Sequence, residues 1–153
     1  MTGQGEKSPR FMLVLRELVG AYQAFEAYAT PHIKQQGLTP AQFDVIATLG
    51  NTSGLTFKEL GRRTLIYKTT LTSVVDRLES RGLVQRAPSE EDRRSTIARL
   101  TPEGDALFQS VFPAHSELLQ MRLEKLSPAE MDDAIRILRT LQHAFAVSKD
   151  AQG

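Results

Sequence analysis

Two clusters of polar and basic side chains in the middle of the chain have the types and spacing for chemistry. In the segment 67–80 the apolar residues Leu71, Val74, Val75 and Leu78 recur at three and four residues, the spacing of one helix face. The rest of that helix surface is then Lys68, Thr69, Thr70, Thr72, Ser73, Asp76 and Arg77, small hydroxyls and cations rather than the Glu and Lys mixture of an ordinary solvated helix. Such a face suits contact with base edges and phosphates. The second cluster, Ser89-Glu90-Glu91-Asp92-Arg93-Arg94-Ser95, is the tip of a basic hairpin, an arginine-tipped loop sized for a minor groove. In isolation Asp92 with Arg94 reads more readily as a surface ion pair, contributing under ~1 kcal/mol.

Competing chemistries lack their signatures. Ser, Asp and His are present without a nucleophile elbow, a phosphate loop or paired-carboxylate spacing, so the chain does not read as an enzyme. His32, His115 and His143 have no ligand spacing, so neither metal nor cofactor is expected. With no Cys, disulfides, thiolate metal sites and thiol sensing are excluded. There is no charged start with an apolar stretch behind it, and no apolar run of the ~18 residues that a membrane span needs, so the expectation is a soluble, cytoplasmic protein. The net charge of +1 is unevenly spread: residues 57–99 hold ten Lys or Arg against six acids, and the remainder nine against twelve. A basic middle between acidic flanks would turn one face toward a polyanion, although a solvated charged surface gives the same arithmetic.

The elements that must position these clusters follow from periodicity and capping signals. A first helix from Pro9 carries Phe11, Val14, Leu15, Leu18, Tyr22, Phe25 and Ala29 on one face, and Pro31 should kink it or stop it before Gly37. Capping boxes at Thr39-Pro40-Ala41-Gln42, Thr56-Phe57-Lys58-Glu59 and Ser127-Pro128-Ala129-Glu130, with a weaker signal at Thr101-Pro102, place helix starts near 40, 57, 102 and 128. The helix over about 67–80 ends at Gly82, and strands at 83–87 and 96–100 flank the hairpin tip. The helix over about 102–126 contains Pro113, which predicts a kink, and the last helix covers about 128–147. The order is α-α-α-α-β-β-α-α, a mainly α fold with a small β-hairpin wing: a winged helix-turn-helix plus a helical dimerisation region. Residues 1–8 and 148–153 read as tails around one domain, 9–147, in which 38–100 is the winged lobe and 9–36 with 102–147 the dimerisation region. A lobe of about 60 residues cannot bury three long amphipathic helices, so they should pack together and against a second copy of the chain.

Several motifs, in this order, resemble the MarR family of transcriptional regulators. They are Gly37-Leu38-Thr39-Pro40-Ala41-Gln42-Phe43, Glu59-Leu60-Gly61-Arg62-Arg63, Thr70-Leu71-Thr72, the run Val75-Asp76-Arg77-Leu78-Glu79-Ser80-Arg81-Gly82-Leu83-Val84-Gln85-Arg86, Asp92-Arg93-Arg94-Ser95 and Leu100-Thr101-Pro102-Glu103-Gly104. The resemblance implies a homodimer that binds palindromic double-stranded DNA, more often a repressor. It implies a recognition helix with Lys68, Thr69, Thr70, Thr72, Ser73 and Arg77 as DNA contacts. In the wing it implies contacts at Asp92, Arg93 and Arg94, the Asp92 carboxylate holding the Arg94 guanidinium for the minor groove. Many relatives release DNA on binding a small aromatic anion where the dimerisation helices meet the lobe. Tyr28, His32, Phe43, Tyr67 and His115 are the residues here that suit such a crevice, although the aromatics and His115 read more readily as core. Two residues depart from the family pattern. Tyr67 stands where a small cap is usual, and Gly61 replaces the usual Ala, which permits a close backbone approach. A winged-helix module that docks a protein without binding DNA is the alternative.

Overall fold

The computed structural model describes residues 8–64 and 66–146, except for the side chain of Lys68. The expected tails therefore lie outside the described residues, apart from Ser8. The elements are α1 (Arg10–Gln35), α2 (Pro40–Leu49), β1 (Leu55–Thr56), α3 (Phe57–Arg63), α4 (Lys68–Ser80), β2 (Val84–Pro88), β3 (Thr96–Leu100), α5 (Pro102–Leu123) and α6 (Pro128–Phe145). They divide into two compact units between His115 and Ser116.

In the first unit the capping signals do what their chemistry requires. The Thr39 hydroxyl accepts from the Gln42 N–H at 3.2 Å, and the Gln42 side chain accepts from the Thr39 N–H at 3.1 Å, a closed capping box at α2. At α3 the box is only half made. Thr56 accepts from the Glu59 N–H, but the Glu59 carboxylate turns to Arg62 at 2.7 Å and Arg63 at 2.6 Å, one turn along its own helix. Two charged donors outcompete one backbone amide. α1 continues past Pro31 and stops at Gln35, before Gly37 as expected. Proline removes one donor, while Ala29 and Ile33, both buried, hold the turns on either side.

β1 is an addition to the expected order. It pairs with β3 through Leu55↔Ala98 and Thr56↔Ile97, so the hairpin becomes a three-stranded antiparallel sheet in the order β1-β3-β2. Two strands alone are marginal, and a third strand with helices behind it gives the wing a fixed root. Leu49, Leu60, Leu71, Val75, Leu78, Val84 and Ala98 are at most 1% exposed and form the centre of the core. The recognition segment and the root of the wing thus share one packed interior.

Thr101 ties the end of α4 to the start of α5. Its hydroxyl donates to the Gly82 carbonyl at 2.6 Å and accepts from the Gly104 N–H at 3.0 Å. Gly82 has φ +72°, the left-handed conformation of a helix C-terminus, as expected from the sequence. Gly104 is required for a different reason: a Cβ there would lie 1.9 Å from the Leu83 carbonyl oxygen.

The second unit holds the end of α5 and all of α6. Ser127 and Glu130 close the capping box at α6, with the Glu130 carboxylate accepting from the Ser127 N–H at 2.7 Å. That hydrogen bond holds the Glu130 carboxyl below its ordinary range. No residue of α6 is buried.

Candidate nucleic-acid interface

α4 presents the surface that its sequence implies. Leu71, Val74, Val75 and Leu78 are buried, and Thr69, Thr70, Thr72, Ser73, Asp76 and Arg77 are all exposed. The Ser73 hydroxyl donates to the Thr70 carbonyl at 3.0 Å, which leaves its oxygen lone pairs outward as acceptors. Lys68 opens the helix. Tyr67 is the N-cap residue and, as a poor cap, makes no side-chain capping bond. Its carbonyl instead accepts from the N–H groups of Thr70 and Leu71 at 2.8 and 3.0 Å.

The wing tip is organised by Asp92, in a way that differs from the expectation. Its carboxylate accepts from the backbone N–H of Arg94 at 3.0 Å and from the Ser95 hydroxyl at 3.4 Å. Among the described residues it forms no ion pair with the Arg94 guanidinium. Asp two residues before an N–H closes a local turn more readily than it reaches a side chain with four rotatable bonds. The Ser95 N–H bonds back to the Asp92 carbonyl at 2.9 Å, and the Ser89 N–H to the Ser95 carbonyl at 2.8 Å. The loop is thereby shaped while Arg93 and Arg94 stay exposed. Among the described residues Arg77, Arg93 and Arg94 form no ion pair, so three cations on this surface are uncommitted.

Arg86 was not singled out by sequence reasoning and proves central. From β2 its guanidinium donates to Asp76 at 2.5 Å and Glu79 at 3.0 Å, both on α4, and lies 5.3 Å from the centre of the Phe57 ring on α3. Its backbone N–H donates to Glu79 at 3.1 Å. The available signal was Asp76 and Glu79 one turn apart on a helix followed by a strand carrying an arginine. Arg81 similarly ties the end of α4 to the turn after α1, donating to the Gly37 carbonyl at 2.8 Å.

Three of the five residues considered for an aromatic crevice come together. The Nδ1 atoms of His32 and His115 are 3.0 Å apart, and the Phe43 ring meets His115 edge-on at 4.6 Å between centres. One imidazole must donate and the other accept, so the pair is bonded only while at least one ring is neutral. His115 is 4% exposed, and burial, reinforced by His32 beside it, lowers its pKa from the ordinary value. Tyr28 is half-buried one helical turn before His32. Tyr67 is 84% exposed and makes no ring contact among the described residues, so it does not join them. A residue at a helix cap on the outer surface lacks the packing that draws the other three inward.

Among the described residues no group of three or more His, Cys, Asp or Glu gathers to hold a metal ion, and no helix is long and apolar enough to cross a membrane.

Comparison with known proteins agrees with this geometry. Residues 36–95, from the turn before α2 to the wing tip, match the model of the MarR family. The chain is 31% identical to the HTH-type transcriptional regulator MhqR of Bacillus subtilis, over 88% of this chain and 90% of that protein. The solved structure of BpsR from Bordetella bronchiseptica, described with the regulation of its DNA binding by 6-hydroxynicotinic acid, superposes with a TM-score of 0.73 at 30% identity. That match covers 85% of this chain and 98% of BpsR. NadR in complex with 4-hydroxyphenylacetate superposes with a TM-score of 0.70 at 26% identity, over 92% and 97% of the two chains. With a family-model match over the winged region and a relative of this identity along nearly its whole length, the chain belongs to the MarR family of winged-helix transcriptional regulators.

Proposed function

We propose that this regulator binds palindromic double-stranded DNA as a homodimer, α4 reading the major groove and the wing the minor groove, and that it acts as a repressor. The observation that carries the reading is the exposed hydroxyl face of α4 together with the uncommitted Arg77, Arg93 and Arg94. Thr69, Thr70, Thr72 and Ser73, with Lys68 at the start of the helix, are the base and phosphate contacts. Arg93 and Arg94 enter the minor groove on a loop that Asp92 preorganises, so less freedom is lost on binding. Dimerisation has separate support: Phe11, Tyr22 and Phe25 on α1 and Phe145 on α6 are more than half exposed, apolar surface that a second copy would cover. A dimer bound across a promoter blocks it, which is the simplest route to repression.

The His32, His115 and Phe43 cluster, with Tyr28 beside it, is the site for a small aromatic anion that releases the DNA. An imidazole pair beside a ring supplies both a donor for a carboxylate and an apolar face. The similarity to BpsR and NadR supports this ligand class. Selection of duplexes from a random library at low salt, followed by footprinting with and without aromatic acids, tests the reading. A palindrome bound in a salt-sensitive way and weakened by Arg94→Ala is expected; no selected duplex at all would refute it.

A further inference from the structure

We propose that Arg86 is a positioning residue for the recognition helix: it fixes α4 to the wing strand and pairs both Asp76 and Glu79, so that the DNA-facing stripe carries no unpaired carboxylate. The inference rests on the DNA-binding reading above. Thr69, Thr72, Ser73 and Asp76 are three or four residues apart along α4 and therefore share one face. The Asp76 side chain is 58% exposed on that face, directly beside Arg77. An unpaired carboxylate there would oppose phosphates, and like charges juxtaposed across an interface suppress binding.

The arrangement at Arg86 lowers that opposition, one cation being shared by two carboxylates. One guanidinium nitrogen bonds Asp76, another bonds Glu79 at 3.0 Å, and the backbone N–H of the same residue bonds the other Glu79 oxygen at 3.1 Å. The Phe57 ring covers the guanidinium from α3, leaving the side chain 29% exposed. Three elements therefore meet on one planar fork, which a lysine ammonium cannot reproduce. Because β2 leads directly into the wing tip, the same contact sets the pose of the recognition helix against the wing root.

The test compares the full-length wild type with Arg86→Gln, Arg86→Lys, Asp76→Asn and the Arg86→Gln/Asp76→Asn double variant. Dissociation constants for the selected duplex are read by fluorescence anisotropy across a salt series, with thermal melts to verify folding. Arg86→Gln is expected to weaken binding at least tenfold, Arg86→Lys to recover only part, and Asp76→Asn added to Arg86→Gln to restore the part of the loss that the Asp76 charge causes. A purely structural role would show no such restoration, because the double variant still lacks the fork. Arg86→Gln binding within twofold of wild type, or a double variant no better than Arg86→Gln, would overturn the proposal. Should Arg86→Gln not fold, Asp76→Asn alone decides: tighter binding with a steeper salt dependence supports it, and unchanged or weaker binding refutes it. Failure of the wild type to bind any duplex sinks the DNA reading itself, whereas wild-type binding with unimpaired Arg86→Gln sinks only this inference.

Discussion

Replacing Asp92 separates two ways in which a carboxylate can serve the wing. In the structure its work is on the backbone, through the Arg94 N–H at 3.0 Å and the Ser95 hydroxyl at 3.4 Å, at a site open to solvent. Asp92→Ala deletes both bonds but leaves the Ser95 N–H to Asp92 carbonyl bond in place. Water replaces the lost partners, so global stability should fall by under ~1 kcal/mol. Binding should suffer more, because Arg93 and Arg94 must then be ordered on the DNA. Fixing one residue costs about 1–2 kcal/mol, so freeing one or two predicts roughly 5- to 1000-fold weaker binding. Asp92→Asn keeps an oxygen acceptor at the same position and removes a negative charge from the face toward phosphate, so it should bind as tightly as wild type or tighter. The measurement is fluorescence anisotropy of a labelled operator at one fixed salt concentration, beside melting temperatures of the three proteins. If Asp92→Asn proves as weak as Asp92→Ala, the charge acting on the Arg94 guanidinium is what matters, and Asp92 does not serve the wing through the backbone.

Two further outcomes follow from the packing. Gly61 lies inside α3, where a Cβ would meet only the Leu71 side chain at 3.5 Å, an ordinary contact, so the close backbone approach expected from the sequence is absent. Gly61→Ala should therefore raise stability by up to ~1 kcal/mol and the melting temperature by a few degrees, and a lower melting temperature would refute this. His115 is held neutral by burial and by His32, which together lower its pKa. The unfolded chain then binds the proton more readily than the folded one, so stability is full above the ordinary histidine pKa of about 6.5 and declines as pH falls below it. Melting temperatures from pH 7.5 to 5.5 should drop for the wild type and less steeply for His115→Asn; equal slopes would show that His115 is not the titrating group.

How far the molecule was legible in its sequence depended on the range of the interactions involved. The buried stripe of α4, the capping boxes at Thr39 and Ser127 and the αL turn at Gly82 rest on residues within about four positions of one another, so spacing and residue type were sufficient. The exposed hydroxyl face of α4 followed by subtraction. Features that depend on distant partners did not follow. β1 is two residues long and exists only because β3, some forty positions later, supplies its hydrogen bonds. Glu59 abandoned its cap for Arg62 and Arg63, and Asp92 chose a backbone amide over a guanidinium, competitions between nearby partners that geometry settles and residue type leaves open. The meeting of His32 with His115 spans 83 positions, and it turned separate aromatic and imidazole candidates into one bonded cluster while leaving Tyr67 outside. Arg86 is the sharpest case: its type announces a cation on a basic hairpin, yet its three partners on α3 and α4 make it a fastener rather than a free contact. Local periodicity thus accounts for which surfaces exist, and tertiary contact accounts for which charges on them are already spoken for.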